Sequence, residues 1–483
     1  MSKFISSILK LLTATILGQI LGILVMPLLS RLYTPADFGL FQLFISLVAL
    51  IATISCLSYS SAINLPQKHE DAANIVTLCF FLIIITSIIT TIFFVVFSEN
   101  VDRILNTPGL SYYFLLLPFA IIFNSSAYVL GFWLSRREEF GIMATGNLIS
   151  SISGKAVSVG SGILSPSPFG LIFGTIINDA TIFVVFLRST IKDFRFFHDV
   201  SYEKIKQLAY RYKKFPQYDL IAHLANSATM QCTPFLLVFF FSPIIVGYYA
   251  MAHLVINLPV KLVANSFSSV FYQKLCVEKK VTGSVKKIVK SVHTRLISIG
   301  MFGCLIVMII GPELFTFVLG KNWYTAGVYA QILTPYFFVV FISVPLFSIL
   351  NVMEKQDIFL WFNLLTLCST IAVLIIGGLS GNPLIVMLLL SCNGIVFWSW
   401  VNMTTLKIAG VSRRDAGYEI LHYLVLGLLF CLPLIIAKYY SIQYPMIIFI
   451  ALIVSVIYYL FIVYQDVQLK KGLVNFIGEI RQK

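Results

Sequence analysis

Apolar runs long enough to cross a bilayer recur from one end of this chain to the other, and they constrain its fold more than any other feature. A helix of ~20 apolar residues spans the ~30 Å hydrocarbon layer. Cut at their charged, Gly or Pro punctuation, the runs predict fourteen spans, over 9–32, 38–63, 75–97, 111–134, 142–164, 168–188, 218–241, 244–272, 293–318, 328–351, 358–379, 383–406, 418–437 and 444–464. Only 11% of the 483 residues are charged, against 59% hydrophobic. A soluble domain keeps roughly a quarter of its residues charged to cover its surface. The predicted fold is therefore an all-α polytopic membrane protein of about 14 transmembrane helices.

The distribution of Lys and Arg orients these spans. With a cytoplasmic N-terminus, 28 of the 34 basic residues fall in cytoplasmic segments and four (Arg31, Arg103, Lys321, Lys438) in outer ones. Lys155 and Lys261 lie inside spans. Both termini are thus expected in the cytoplasm. The first run continues to Leu32, longer than a signal-peptide core, and is expected to be retained. The net charge of +14 is a cytoplasmic collar facing anionic lipid, and no nucleic acid is needed to explain it. The eight cysteines stand singly, with no CxxC or CxxH, and read as small packing residues.

The loop 189–217 is the longest and separates the first six spans from the rest. In "SYEKIKQLAYRYKKFP", Ile205, Leu208, Ala209, Tyr212 and Phe215 share a helical face, with Lys204, Lys206, Arg211, Lys213 and Lys214 beside it. This pattern predicts an amphipathic tether lying on the membrane. The two halves echo one another. Pro27 matches Pro234 at an offset of 207, Gly39 matches Gly247 at 208, and Pro118 matches Pro335 at 217. Each half holds six spans, so both have one orientation and are expected to be pseudo-symmetric six-helix bundles around a central cavity. The predicted organisation is 1–188, an N-terminal bundle; 189–217, the linker; 218–410, a C-terminal bundle; and 411–483, two accessory helices with a basic tail. At the first corner, Pro27, Pro35 and Gly39 supply turn chemistry. Arg31 and Asp37 there are expected either to pair or to leave Arg31 for substrate.

The segments "PLLSRLYTPADFGLFQLFISLVALIATISCLSYSSAINLP" and "GPELFTFVLGKNWYTAGVYAQILTPYFFVVFISVPLFSILNVMEKQD" resemble the polysaccharide-transporter family. This family comprises Wzx-like O-antigen and capsule repeat-unit flippases of the multidrug/oligosaccharidyl-lipid/polysaccharide exporter superfamily. The resemblance runs over essentially the whole chain. It implies alternating access for an undecaprenyl-diphosphate-linked oligosaccharide, moved from the cytoplasmic to the periplasmic leaflet. Other polysaccharide-assembly membrane proteins are expected as partners, besides membrane lipids. A monomer suffices, because internal pseudo-symmetry supplies both gates.

Such a cargo brings hydroxyls that cost ~2–7 kcal/mol each when stripped of water without a partner, and a diphosphate that needs positive charge. Charged residues inside spans are functional candidates by default. Lys155 sits midway along the Ser- and Gly-rich fifth span, and Asp179 at similar depth in the sixth. Two readings are open: a structural Lys155–Asp179 pair, or Lys155 for phosphate with Asp179 holding a proton or sodium ion. Asn257, Lys261 and Asn265 follow at four-residue steps and share one helix face, expected to face protein or water. Arg31, Gln19 and the polar side of the seventh span (His223, Asn226, Gln231) complete the candidates, with His223 and His253 able to report protons near neutral pH. No cofactor is expected. Ion coupling is possible without being required, since two negative charges moving outward gain ~4–5 kcal/mol per 100 mV.

Three alternatives compete. A cationic-drug exporter of the same superfamily calls for a more anionic cavity, whereas two of the three deep charges are Lys. A polytopic lipid-linked glycan polymerase or transferase would be an enzyme, but every predicted outer loop is short and no HExxH or DxD stands in a loop. A flippase for the peptidoglycan precursor would share the lipid diphosphate. The chain has no GxxxxGK[ST] and no soluble domain to hold one.

Overall fold

The computed structural model describes residues 2–105, 107, 109–353 and 355–465. They form α1 (Ser2–Leu32), α2 (Pro35–Ser55), α3 (His69–Val96), α4 (Ser98–Leu105), α5 (Leu117–Arg136), α6 (Phe140–Leu164), α7 (Pro168–Thr190), α8 (Tyr202–Arg211), α9 (Leu220–Phe240), α10 (Pro243–Thr282), α11 (Lys286–Leu319), α12 (Tyr324–Ser343), α13 (Phe347–Val352), α14 (Gln356–Leu379), α15 (Pro383–Ile408), α16 (Arg413–Tyr439) and α17 (Tyr444–Gln465). No strand occurs among the described residues. All fourteen predicted spans fall on helices. Eleven helical segments among the described residues are long and apolar enough to cross a membrane, which makes this a multi-pass membrane protein. The segment of α1 that qualifies as apolar, Leu17–Leu32, is shorter. Helices α6 and α9 fall short because Gly, Ser, Asn and His dilute them. The basic tail from Lys470 onward lies outside the described residues.

The chain packs as two units, Met1–Met251 with Asn363–Val386, and Ala252–Phe362 with Met387–Lys483. In the first, the corner after α1 is built around Tyr33. Its ring fills the space left by Gly162 on α6 and Gly170 on α7. Its hydroxyl donates to the Ser158 carbonyl at 2.6 Å. Along α6, Gly146, Ser150, Gly154, Ser158 and Gly162 recur every four residues and are buried. This stripe lets α7 approach so closely that a Cβ on Gly154 would lie 2.8 Å from the Gly174 carbonyl oxygen. The small residues of the fifth span therefore serve helix packing.

Asp37 does not pair with Arg31. Its carboxylate accepts from the Thr34 amide (2.8 Å) and hydroxyl (2.7 Å), while the Asp37 amide donates to Thr34 Oγ1 at 3.3 Å. This capping box satisfies the first turn of α2, and Arg31 is left exposed. Helix α9 packs along α2, and the start of α10 crosses α2 at Gly39 and Gly247, so both belong to the first unit.

The amphipathic tether also differs from expectation. Helix α8 buries Leu208 in the cluster that holds Ile63, Val76 and Trp133, with Ala209, Tyr212 and Phe215 packed against it. The Ser201 amide donates to Asn74 Oδ1 (3.1 Å), and Tyr59 donates to the Ala209 carbonyl (3.1 Å). These bonds fix α8 to Asn74 of α3 and to Tyr59 of its own bundle, so its apolar face is covered by protein.

In the second unit, α11 breaks its helical geometry at Ile310, two residues before Pro312. The carbonyls freed there find donors: Gln331 of α12 to Met308 O (2.7 Å) and Lys438 of α16 to Ile309 O (2.5 Å). Lys438 also pairs with Glu313 at 3.0 Å. The accessory helices thus pack directly on α11. Tyr458 of α17 stacks on Phe302 at 4.1 Å and donates to the Ser298 carbonyl at 2.7 Å.

Candidate functional site

In the first unit, α1 lies against α6 through a repeated small-residue contact. Ser151 donates to the Gly18 carbonyl at 3.4 Å, and one turn on, a Cβ on Gly22 would lie 4.0 Å from Lys155 Cε. The methylene stem of Lys155 thus runs alongside α1 near Gly22, at ordinary van der Waals distance from where a side chain there would begin. Lys155 is half-buried, and neither a hydrogen bond nor an ion pair satisfies its ammonium among the described residues. Gln19 follows Gly18 on α1 and is half-buried too. Lys155 thus stands at the α1–α6 seam, and Gln19 stands on α1 beside Gly18.

Asp179 is not the partner of Lys155. Its carboxylate accepts from Asn124 of α5 at 2.9 Å and from Asn178 at 3.0 Å. The two amide donors take up part of its acceptor capacity and leave lone pairs free. Ser153 and Thr181, 3.0 Å apart, extend this polar seam between α6 and α7. Of the two readings of Lys155 and Asp179, the geometry excludes the ion pair and keeps two separate groups.

The remaining residues of the first unit are more exposed. Arg31 stands at the end of α1, exposed. His223 is exposed near the start of α9, its Nε2 3.5 Å from Asp219. Asn226 is exposed and Gln231 half-buried on the same helix.

In the second unit, Lys261 is exposed on α10 and Asn257, one turn before it, is half-buried. Asn265 lies outside the residues whose side chains are described. His253 sits edge-on against Phe337 at 5.2 Å.

Two buried polar groups escaped the sequence reading. Glu313, 8% exposed, is held by Lys438; its position directly after Gly311-Pro312 was the available signal. His293 is buried in α11, and its Nε2 has no partner. Nearby in its shell, Asn402 donates to Ser343 at 3.1 Å. Nothing in the spacing of these residues announces that they meet. Among the described residues no three His, Cys, Asp or Glu side chains gather as metal ligands do.

The fold is shared with solved transporters. A structure described as "Lipid II flippase MurJ, inward closed conformation" superposes with a TM-score of 0.73 at 14% identity, covering 94% of this chain and 98% of that one. An inward-facing multidrug resistance MATE family transporter of the MOP superfamily gives 0.60 at 15% identity, covering 82% and 96%. A Vibrio cholerae MATE transporter gives 0.54 at 13% identity, covering 84% and 96%. At these identities the likeness is one of fold. No curated protein sequence matches the chain. A family model described as "Polysaccharide biosynthesis protein" matches residues 28–327, from the end of α1 through the start of α12. That stretch takes in the α2 corner, the α6–α7 seam and all of α10, and it places this chain in the polysaccharide biosynthesis protein family.

Proposed function

We propose that the protein is a flippase that moves undecaprenyl-diphosphate-linked oligosaccharide repeat units from the cytoplasmic to the periplasmic leaflet by alternating access. In this reading it is a transporter and not an enzyme, it works in the bacterial inner membrane with both termini cytoplasmic, and a monomer suffices. The observation that carries the reading is Lys155: a mid-span ammonium near Gly22 with no carboxylate partner among the described residues, in a chain of a polysaccharide biosynthesis family. An uncompensated charge at that depth is costly to keep, and an anion that visits it offsets the cost. The fold of a lipid II flippase supports a cargo built on a lipid.

Lys155 then meets the diphosphate as a point charge. Lys261 and Arg31 provide further positive charge along the route, and Gln19, Asn257 and Asn265 offer hydrogen bonds to sugar hydroxyls. Asp179, held between Asn124 and Asn178, takes a proton or sodium ion, and His223 relays protons from the cytoplasmic side.

The test follows headgroup accessibility of a fluorescent undecaprenyl-diphosphate oligosaccharide in proteoliposomes. Wild type should move the lipid, and folded Lys155→Ala and Lys261→Ala variants should not. Efflux of a cationic dye without lipid movement would establish the drug-exporter alternative instead.

A further inference from the structure

Because α8 turns its apolar side inward, the surroundings meet its opposite side. Tyr202, Lys206 and Tyr210 follow at four-residue steps and share that outer face. Tyr202 and Tyr210 are 78% and 71% exposed, on a helix already docked by its other side. Lys213 and Lys214 lie just past the last turn, and Lys213 Nζ sits 4.1 Å above the Tyr210 ring. The Arg211 guanidinium lies 5.4 Å over Tyr212. Among the described residues none of these four cations pairs with a carboxylate. Arg136 and Arg137, in the same region, contrast with them. Arg136 donates to the Ile63 and Pro66 carbonyls, and Arg137 pairs with Asp193.

The level of this stripe follows from its neighbours. Asn74, in the second turn of α3, holds the start of α8. The far end leads through a single π-turn, Phe215–Asp219, directly into α9. Both α3 and α9 coincide with predicted spans, so the stripe lies where helices leave the bilayer. Tyr rings favour headgroup depth, and Lys or Arg there is drawn to anionic lipid.

We propose that the outer face of α8, together with the exposed basic turn Arg211–Lys214 that ends it, is a docking surface for anionic phospholipid headgroups of the cytoplasmic leaflet. Lys206, Arg211, Lys213 and Lys214 meet the phosphates, and Tyr202 and Tyr210 seat among the headgroups. The tether is therefore pinned twice, to its own bundle by Leu208 and to the membrane by charge. The surface does not depend on the cargo, so its test needs none.

Native mass spectrometry of the full-length chain, with added phosphatidylglycerol or phosphatidylethanolamine, reads headgroup occupancy directly. The variant K206Q/R211Q/K213Q/K214Q should lose phosphatidylglycerol occupancy about tenfold and keep phosphatidylethanolamine unchanged. Wild-type phosphatidylglycerol binding should weaken as salt is raised. A control with the same loss of charge elsewhere, K286Q/K287Q/R413Q/R414Q, should lose clearly less phosphatidylglycerol than the α8 variant. All four side chains of the first variant are exposed, so its melting temperature should match wild type. Unchanged phosphatidylglycerol occupancy, an equal fall for both lipids, or an equal fall in the control would each overturn the proposal. Capture of an acidic protein through these four residues, with lipid occupancy intact, would overturn it as well.

Discussion

Gly39 on α2 and Pro243 at the start of α10 approach so closely that a Cβ on Gly39 would overlap the Pro243 carbonyl, and Gly247 meets the Pro35 carbonyl in the same way. Each glycine is the fifth residue of its helix and each proline the first. The contact is therefore reciprocal: the two echoed segments of the sequence are each other's packing partner. The obstacle in both cases is backbone, which cannot swing aside as a side chain can. Gly39→Ala and Gly247→Ala should each destabilise the protein by about 1–3 kcal/mol, read as a lowered melting temperature in detergent. Gly141→Ala, where a Cβ would meet nothing within 4 Å, should leave the melting temperature unchanged or raise it.

Tyr33→Phe should cost about 1 kcal/mol by removing the buried bond to the Ser158 carbonyl, and Tyr33→Ala about 3–5 kcal/mol by emptying the space over Gly162 and Gly170. Burial, and secondarily the charge of Asp37, raises the Tyr33 phenol above its ordinary value of 10.0. A group whose folded value is raised contributes fully below its unfolded value and loses that contribution as pH climbs through the folded one. The stability difference between wild type and Tyr33→Phe should thus be constant from pH 6 to 9, and chemical denaturation at several pH values checks it.

Lys438→Ala should leave the nearly buried Glu313 without its cation and Ile309 without a donor, at a cost of about 2 kcal/mol. Because both residues act in one cluster, Glu313→Gln combined with Lys438→Ala should cost less than the two changes added together. A double-mutant cycle on thermal midpoints measures the difference.

Asn124→Ala should weaken the support of the Asp179 carboxylate by about 1–3 kcal/mol. Under the proposed coupling role, Asp179→Asn should abolish any dependence of lipid movement on a proton or sodium gradient while leaving the folded protein intact. Proteoliposomes with and without an imposed gradient distinguish the two effects.

The spans were legible in the sequence because hydropathy is local: a run of Leu, Ile, Val and Phe has the same consequence in lipid whatever it packs against. Gly39 and Gly247 do share a local setting, each the fifth residue of a helix that starts with proline, and Pro27 and Pro234 each lie inside a helix. The match of Pro118 with Pro335 was not reproduced, for Pro118 is the second residue of α5 and Pro335 lies well inside α12. Composition, likewise, identified Lys155 and Asp179 as mid-span charges.

Who meets whom was decided only by the tertiary structure. Sequence spacing sets depth along a helix but not the rotation of one helix against its neighbour. That rotation turns Lys155 toward Gly22 and gives Asp179 to Asn124, which comes from a third helix. Competition among partners decided the rest. Asp37 caps α2 through Thr34, three residues away, and so leaves Arg31 unpaired among the described residues. Leu208 could be buried by lipid or by protein, and the bonds from Ser201 and Tyr59 hold it to protein. The sequence alone determined a chain of apolar helices and their order, because these follow from local composition. Only the packed structure could choose the partner of each buried charge, because that choice depends on neighbours far along the chain.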